Sequence, residues 1–197
     1  MPILLFPILV HAEKIDATTL LSILQNKEVH FIVPWDADGN NDLLCVLTLK
    51  RESAPNTLPT RVMTIYKKKD TQLNEIYEFL TPDFPVNIYQ MGESCSRLFT
   101  AWTGGSAHHF NVFAYSEGRI VKVLEISSKL MPEFAIDKSG NEIILVTQLA
   151  WKENKKTGGK EQVPDSTNIY KWNGKEYMKI KVVPWKSRFE FLRVLAN

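Results

Sequence analysis

The chain has 197 residues, enough to bury one sizeable core, and its 44% apolar and 23% charged residues are ordinary for a globular protein. Its 24 Lys and Arg against 22 Asp and Glu leave a formal net charge of +2, which excludes a nucleic-acid binder driven by a strong basic stripe. Two Cys, nine Gly and ten Pro exclude a disulfide-dense scaffold, a four-cysteine zinc site and a low-complexity chain.

Residues 1–12 are almost wholly apolar, and the composition changes abruptly at Glu13-Lys14. The stretch is shorter than the roughly 20 residues that a bilayer span requires, so no transmembrane span is expected. It has the length of the apolar region of a secretory signal, with Val10 and Ala12 at the −3 and −1 positions of a cleavage site, but it lacks a basic n-region. Residues 1–12 are therefore expected to be a signal peptide and 13–197 a single exported all-β domain. The other reading of the stretch is a first core strand.

Asp16 to Lys27 is the best helix candidate, with Asp16 as N-cap and Leu20, Leu21, Ile23 and Leu24 on one apolar stripe. Beyond Glu28 the chain reads as short strands rich in Val, Ile, Tyr, Phe and Trp, separated by turn residues. Self-alignment divides it into three similar segments, near 31–80, 84–126 and 134–183, that open at Phe31, Phe84 and Phe134. Each holds two hairpins. In the first, Phe31–Trp35 and Asp42–Leu49 precede Ile65-Tyr66 and Leu73–Ile76. The second runs Phe84–Tyr89, Arg97–Trp102, Val112–Tyr115 and Ile120–Leu124. The third runs Phe134–Ile136, Glu142–Thr147, Ile169–Trp172 and Tyr177–Ile180. Asn173-Gly174 is expected to form a type I′ turn, which needs positive φ at both residues. Four antiparallel strands at a period near 50 predict a propeller-like array of about three four-stranded units behind a short N-terminal helix. Phe189–Leu192 alternates and is expected to add an edge-covering strand, or else one helical turn.

Two loops carry a family resemblance. Trp35-Asp-Ala-Asp-Gly-Asn-Asn-Asp42-Leu-Leu and Ile136-Asp-Lys-Ser-Gly-Asn-Glu142-Ile-Ile resemble degenerate FG-GAP/VCBS repeats, in which an Asp/Asn/Gly-rich loop joins two strands. The resemblance implies an integrin-like β-propeller, often calcium-binding and often exported. Both loops are shorter than the family's, and the second segment has Met91–Ser94 instead.

The residues themselves offer limited chemistry. Asp36, Asp38, Asn40 and Asp42 place four oxygen-bearing side chains in seven residues, a partial donor set for calcium, or an Asx-type turn. Lys138 disfavours a dication in the Asp137 loop. Cys45 and Cys95 are candidates for a disulfide in an oxidising compartment, or for two buried thiols. His108 and His109 on a strand point to opposite faces, so the Thr103–Phe110 stretch reads as a glycine turn rather than a metal or Ser106–His108 site. The aromatics, Trp151 among them, are expected in the core, and any that stand exposed offer a platform for a carbohydrate or peptide. Lys152–Lys160 reads as a long solvated hairpin loop. Together these features predict an exported, non-catalytic binding protein with an unknown protein or glycan ligand. The alternative is a hydrolase that uses Asp36, Asp38, Asp42, Asp137 and Glu142.

Overall fold

The fold is given by a computed structural model that describes residues 20–21, 24–25, 27–37, 39, 42–50, 60–70, 72–92 and 96–196. The described chain is all-β, with three antiparallel four-stranded sheets in which spatial order follows chain order. Strands β1 (Glu28–Trp35), β2 (Leu43–Lys50), β3 (Thr60–Lys69) and β4 (Gln72–Thr81) form the first. The second holds β5 (Phe84–Met91), β6 (Arg97–Gly104), β7 (Ala107–Ser116) and β8 (Arg119–Ser128). The third holds β9 (Glu133–Ile136), β10 (Glu142–Glu153), β11 (Lys160–Trp172) and β12 (Tyr177–Pro184). A 3-10 turn at Trp185–Ser187 then leads into helix α1, Arg188–Ala196. All twelve expected strands are present, most of them longer than expected. The expected helix at 16–27 lies largely outside the described residues, of which Leu20, Leu21 and Leu24 are helical. The signal-like stretch 1–12 also lies outside them. Among the described residues no helix is long and apolar enough to cross a membrane.

The chain divides into two compact units, Met1–Gly104 with Val112–Lys122, and Gly105–Asn111 with Val123–Asn197. In the first unit β2 is buried on both faces, which explains its unbroken apolar run Leu43–Leu47. Period-two alternation sends Leu43, Cys45 and Leu47 to one face, where with Met63 and Ile65 they meet Ile88, Leu98, Trp102 and Phe113 of the second sheet. Aromatic rings join the two sheets there, with centroids 5.5 Å apart for Tyr77–Phe113 and 5.7 Å for Phe79–Trp102. Leu44, Val46 and Tyr66 face the other way and pack against Leu20, Leu24 and Ile32.

In the second unit Ile143, Leu145, Ile169 and Val183 form a core face against which Ala135 and Phe191 pack. Phe189–Leu192 is therefore part of α1, not an added strand. The helix lets Phe191 pack against the apolar sheet face.

Two turns also depart from expectation. Trp172 pairs with Tyr177, so Asn173–Glu176 is a four-residue loop, and of the Asn-Gly pair only Gly174 takes positive φ, at 94°. The Asn173 side chain accepts from the Lys175 and Glu176 N–H groups at 2.9 and 2.8 Å, an Asx-type closure that competes with the I′ turn. The φ signs of a type I′ turn occur instead at Glu117 (53°) and Gly118 (77°), the two residues between β7 and β8. The lysine-rich tract is the hairpin loop expected, shorter by three residues because Lys152, Glu153 and Lys160 are paired. The β10–β11 ladder continues to Glu153↔Lys160 and leaves Asn154–Gly159 as the tip of a protruding arm.

Candidate functional site

The acidic loops are held by internal partners. Asp137 is 4% exposed, and its carboxylate meets the Lys171 ammonium at 2.6 Å. It also accepts from the backbone N–H groups of Ser139 and Asn141, both at 2.9 Å, and from the Asn141 amide. The Lys171 contact, helped by these donors and opposed by burial, holds the Asp137 carboxyl well below the ordinary carboxylate range. Calcium does not fit this loop, because the groups around the carboxylate are N–H donors and an ammonium rather than oxygens. Glu142, on the same sheet, accepts a short hydrogen bond from the Tyr177 hydroxyl.

The β1–β2 loop shows the same arrangement. Asp42 lies 3.2 Å from the Lys67 ammonium, which also donates to the Tyr115 hydroxyl at 2.5 Å. The Tyr115 bond first, and then Asp42, raise the Lys67 pKa against the opposing effect of burial. Lys67 pairs with Leu43 and Lys171 with Ile143, so the two lysines occupy the same register position in their sheets. The Asp36 backbone N–H donates to Gln90 at 3.0 Å. Asp38 and Asn40 lie outside the described residues, so the proposed calcium set is seen only at its two ends. Among the described residues no three His, Cys, Asp or Glu side chains converge for a metal. The candidate carboxylates of a hydrolase are divided between the first sheet (Asp36, Asp42) and the loop and start of β10 in the third (Asp137, Glu142).

Cys45 is a free thiol with 1% exposure in the first unit's core, where burial pushes its pKa up to about 12. Cys95 lies outside the described residues. In the glycine turn only Gly105 takes positive φ, at 61°. Gly104 is small for another reason, since a Cβ there would stand 2.0 Å from the Asp83 carboxylate. His108 lies beside Phe110, with centroids 6.1 Å apart. His109, on the opposite face of the strand, makes a 2.8 Å contact from Nδ1 to the Ser127 hydroxyl.

That contact borders a cleft of about 230 Å³ within the second unit, lined by Ser127, Ser128, Lys129, Gln148, Leu149 and Gln162. The β8 end supplies the serines and the base of the β10–β11 arm supplies the glutamines and Leu149. Ser128 is committed to the scaffold, donating to the Thr147 carbonyl at 2.9 Å and accepting from the Leu130 N–H at 3.2 Å. The arm is bulged at its base, where Gln148 pairs with Ser166 and Leu149 with Pro164, leaving Asp165 over. A bulge re-aims the side chains that follow it, and it admits Pro164, which has no N–H for the ladder. Asp165 then lies 3.6 Å from Lys152. Trp151, 64% exposed, is the cross-strand partner of Gln162 and lies two residues from Leu149, so its indole shares the face on which the cleft opens. Trp151 is thus not the core aromatic expected from the sequence, and the strands reach beyond the expected ends at Thr147 and Ile169. Gln148-Leu149-Ala150-Trp151-Lys152 does not alternate, so no hydrophobic period marks the extension.

No protein-family model matches the chain, and no curated protein sequence matches it. Among solved structures, it is similar to the 1.18 Å crystal structure of the uncharacterized protein lmo1340 from Listeria monocytogenes EGD-e, with a TM-score of 0.39 and 15% identity. The match covers 80% of this chain and 41% of that one, so the chain spans well under half of its length.

Proposed function

We propose that this chain is an exported, non-catalytic binding module with a propeller-like array of three sheets, and that it reads its ligand at the base of the β10–β11 arm. The observation that carries the reading is the pairing of an exposed indole, Trp151, with a small open cleft that sets the Ser127, Gln148 and Gln162 side chains beside apolar surface from Ala107 and Leu149 and holds no carboxylate. Such a surface orients a ligand without supplying a charged nucleophile or base. The carboxylates a hydrolase would need support the same reading, because Asp42, Asp137 and Glu142 are each already engaged by Lys67, Lys171 and Tyr177. The propeller-like reading is supported by three successive four-stranded meanders at a near-constant period, and export by the apolar opening of the chain.

The contact between His109 and Ser127 is the one feature that favours catalysis, as a base beside a hydroxyl nucleophile. The test is to incubate the full chain with casein, laminarin and p-nitrophenyl acetate and to follow product release. The expected result is no turnover above a heat-treated control. Hydrolysis that Ser127→Ala, Asp137→Asn or Glu142→Gln abolishes overturns the reading in favour of an enzyme.

A further inference from the structure

A sugar ring has an apolar C–H face and a rim of hydroxyls that donate and accept in equal measure. A surface complementary to it needs a flat aromatic face open to water, beside side chains that can also do both. Gln amides and Ser hydroxyls have that dual capacity, whereas a carboxylate only accepts and an ammonium only donates. Trp supplies a large apolar face with little rotamer freedom to lose on binding.

The arm presents this combination on one face. Trp151 stands 64% exposed, Gln162 is directly across the ladder from it, and Leu149 lies two residues along the same strand. Beyond them the cleft continues past Gln148 to Ser127 and Lys129. Its volume, about 230 Å³, lies below the roughly 300–1,000 Å³ typical of sites that engulf a small molecule, which suits an extended ligand touched ring by ring. The Asn154 amide donates to Glu161 at 3.0 Å and Lys152 lies 3.6 Å from Asp165, so two of the arm's acids are engaged within it.

We propose that Trp151 and the cleft form a carbohydrate-binding site for a hexopyranose polymer, with one ring stacked on the indole and its neighbour hydrogen-bonded by Gln162, Gln148 and Ser127. This rests on the binding-module reading and names the ligand class of the same site. A peptide fits the surface less well, because strand addition draws its specificity from a row of pockets that take alternate side chains, and the arm offers one small cleft beside one exposed indole. Cleavage of the polymer does not follow from the site. Glycoside hydrolysis needs two carboxyl groups flanking the bond, and no residue lining the cleft carries one.

The test is native gel electrophoresis of the full chain through gels containing laminarin, xylan, galactomannan or mannan, beside Trp151→Ala and Gln162→Ala. Trp151 is exposed and Gln162 partly buried, and an unchanged thermal midpoint shows that both variants fold. At least one polysaccharide is expected to slow the wild-type chain two-fold or more, with the shift lost in Trp151→Ala and reduced in Gln162→Ala. No retardation by any of the four overturns the carbohydrate inference, and retardation kept by Trp151→Ala overturns this site. Binding to a peptide array that depends on Trp151, without retardation, rejects the glycan class and leaves the binding-module reading standing. Release of reducing ends from a retarding polysaccharide keeps the ligand class and rejects the non-catalytic reading.

Discussion

Phe113 is the sharpest probe of how the first two sheets meet. Its side chain is fully buried, and its ring lies edge-on to Tyr77 at 5.5 Å and to Phe79 at 5.9 Å, so it is held by both sheets. A buried aromatic removes about 150–250 Å² from water. At about 25 cal/mol per Å² that amounts to about 4–6 kcal/mol, an upper bound because the unfolded chain already hides part of the area. Phe113→Ala is therefore expected to cost about 3–5 kcal/mol, a large share of the 5–15 kcal/mol typical of a whole domain. Urea unfolding followed by tryptophan fluorescence reads this unit, because Trp35 and Trp102 lie in the same cluster. With a slope of about 2 kcal/mol per molar, the midpoint should fall by about 1.5–2.5 M. A double-mutant cycle of Phe113→Leu with Tyr77→Leu should show a coupling of about 0.5–1.5 kcal/mol. A midpoint within about 0.3 M of wild type, with coupling indistinguishable from zero, refutes the face-to-face packing of the two sheets.

Lys171→Met removes the main cause of the depressed Asp137 pKa. Because that pKa lies below the ordinary 3.8, the pair stabilises the fold above about pH 4, and its contribution is lost as pH falls through the folded value. The gap between the urea midpoints of wild type and variant should thus be constant from pH 7 to about pH 5 and narrow steadily below about pH 4, and a gap independent of pH refutes the linkage. Cys45 shifts the other way. Its pKa rises from 9.0 to about 12, so it adds stability below pH 9 that is lost as pH climbs towards 12. Cys45→Ala should flatten the alkaline fall, and Ellman's reagent should reach the Cys45 thiol only after unfolding. Exchanging EDTA for millimolar calcium should leave the wild-type thermal midpoint unchanged, because Lys67 already neutralises Asp42. A rise that Asp36→Ala with Asp38→Ala removes would show that calcium is bound.

The strand order was legible because each sheet's inner strands are continuous apolar runs bounded by turn residues, as at Leu43–Leu47 and Ile143–Val146. What the pattern could not show was where polar residues continue a ladder. Past Thr147 the arm strands carry Gln, Lys and Glu with no core behind them, so their pairing is a matter of backbone hydrogen bonds that no hydrophobic period records. Trp151 and the cleft were hidden with them. Turn chemistry misled for a related reason: the Asn173 side chain competes for the N–H groups of its own loop, whereas Glu117 carries positive φ because Gly118 and the strand twist leave a two-residue loop no better geometry.

The acidic loops of the first and third sheets are each tied to a lysine on their sheet's third strand. Ile65-Tyr66-Lys67 and Ile169-Tyr170-Lys171 are the same tripeptide at the same register, each opposite the first buried residue of its sheet's second strand. Each lysine reaches back to the acid of the preceding loop, at 3.2 Å for Asp42 and 2.6 Å for Asp137. An ammonium carried on the third strand can do part of what a bound dication does, neutralising the carboxylate and tying loop to ladder, without dependence on metal concentration. The second sheet has Phe113-Ala114-Tyr115 in place of the tripeptide, and its tyrosine hydroxyl accepts a hydrogen bond from Lys67. In the first and third sheets the lysine and the acid thus act as one unit, although Asp42 ends its loop and Asp137 opens its own. Methionine at Lys67 and Lys171 together should therefore destabilise each sheet's loop separately and additively, since the two sites share no partner. Hydrogen exchange at the N–H groups of Ser139 and Asn141 is the local readout for the second site.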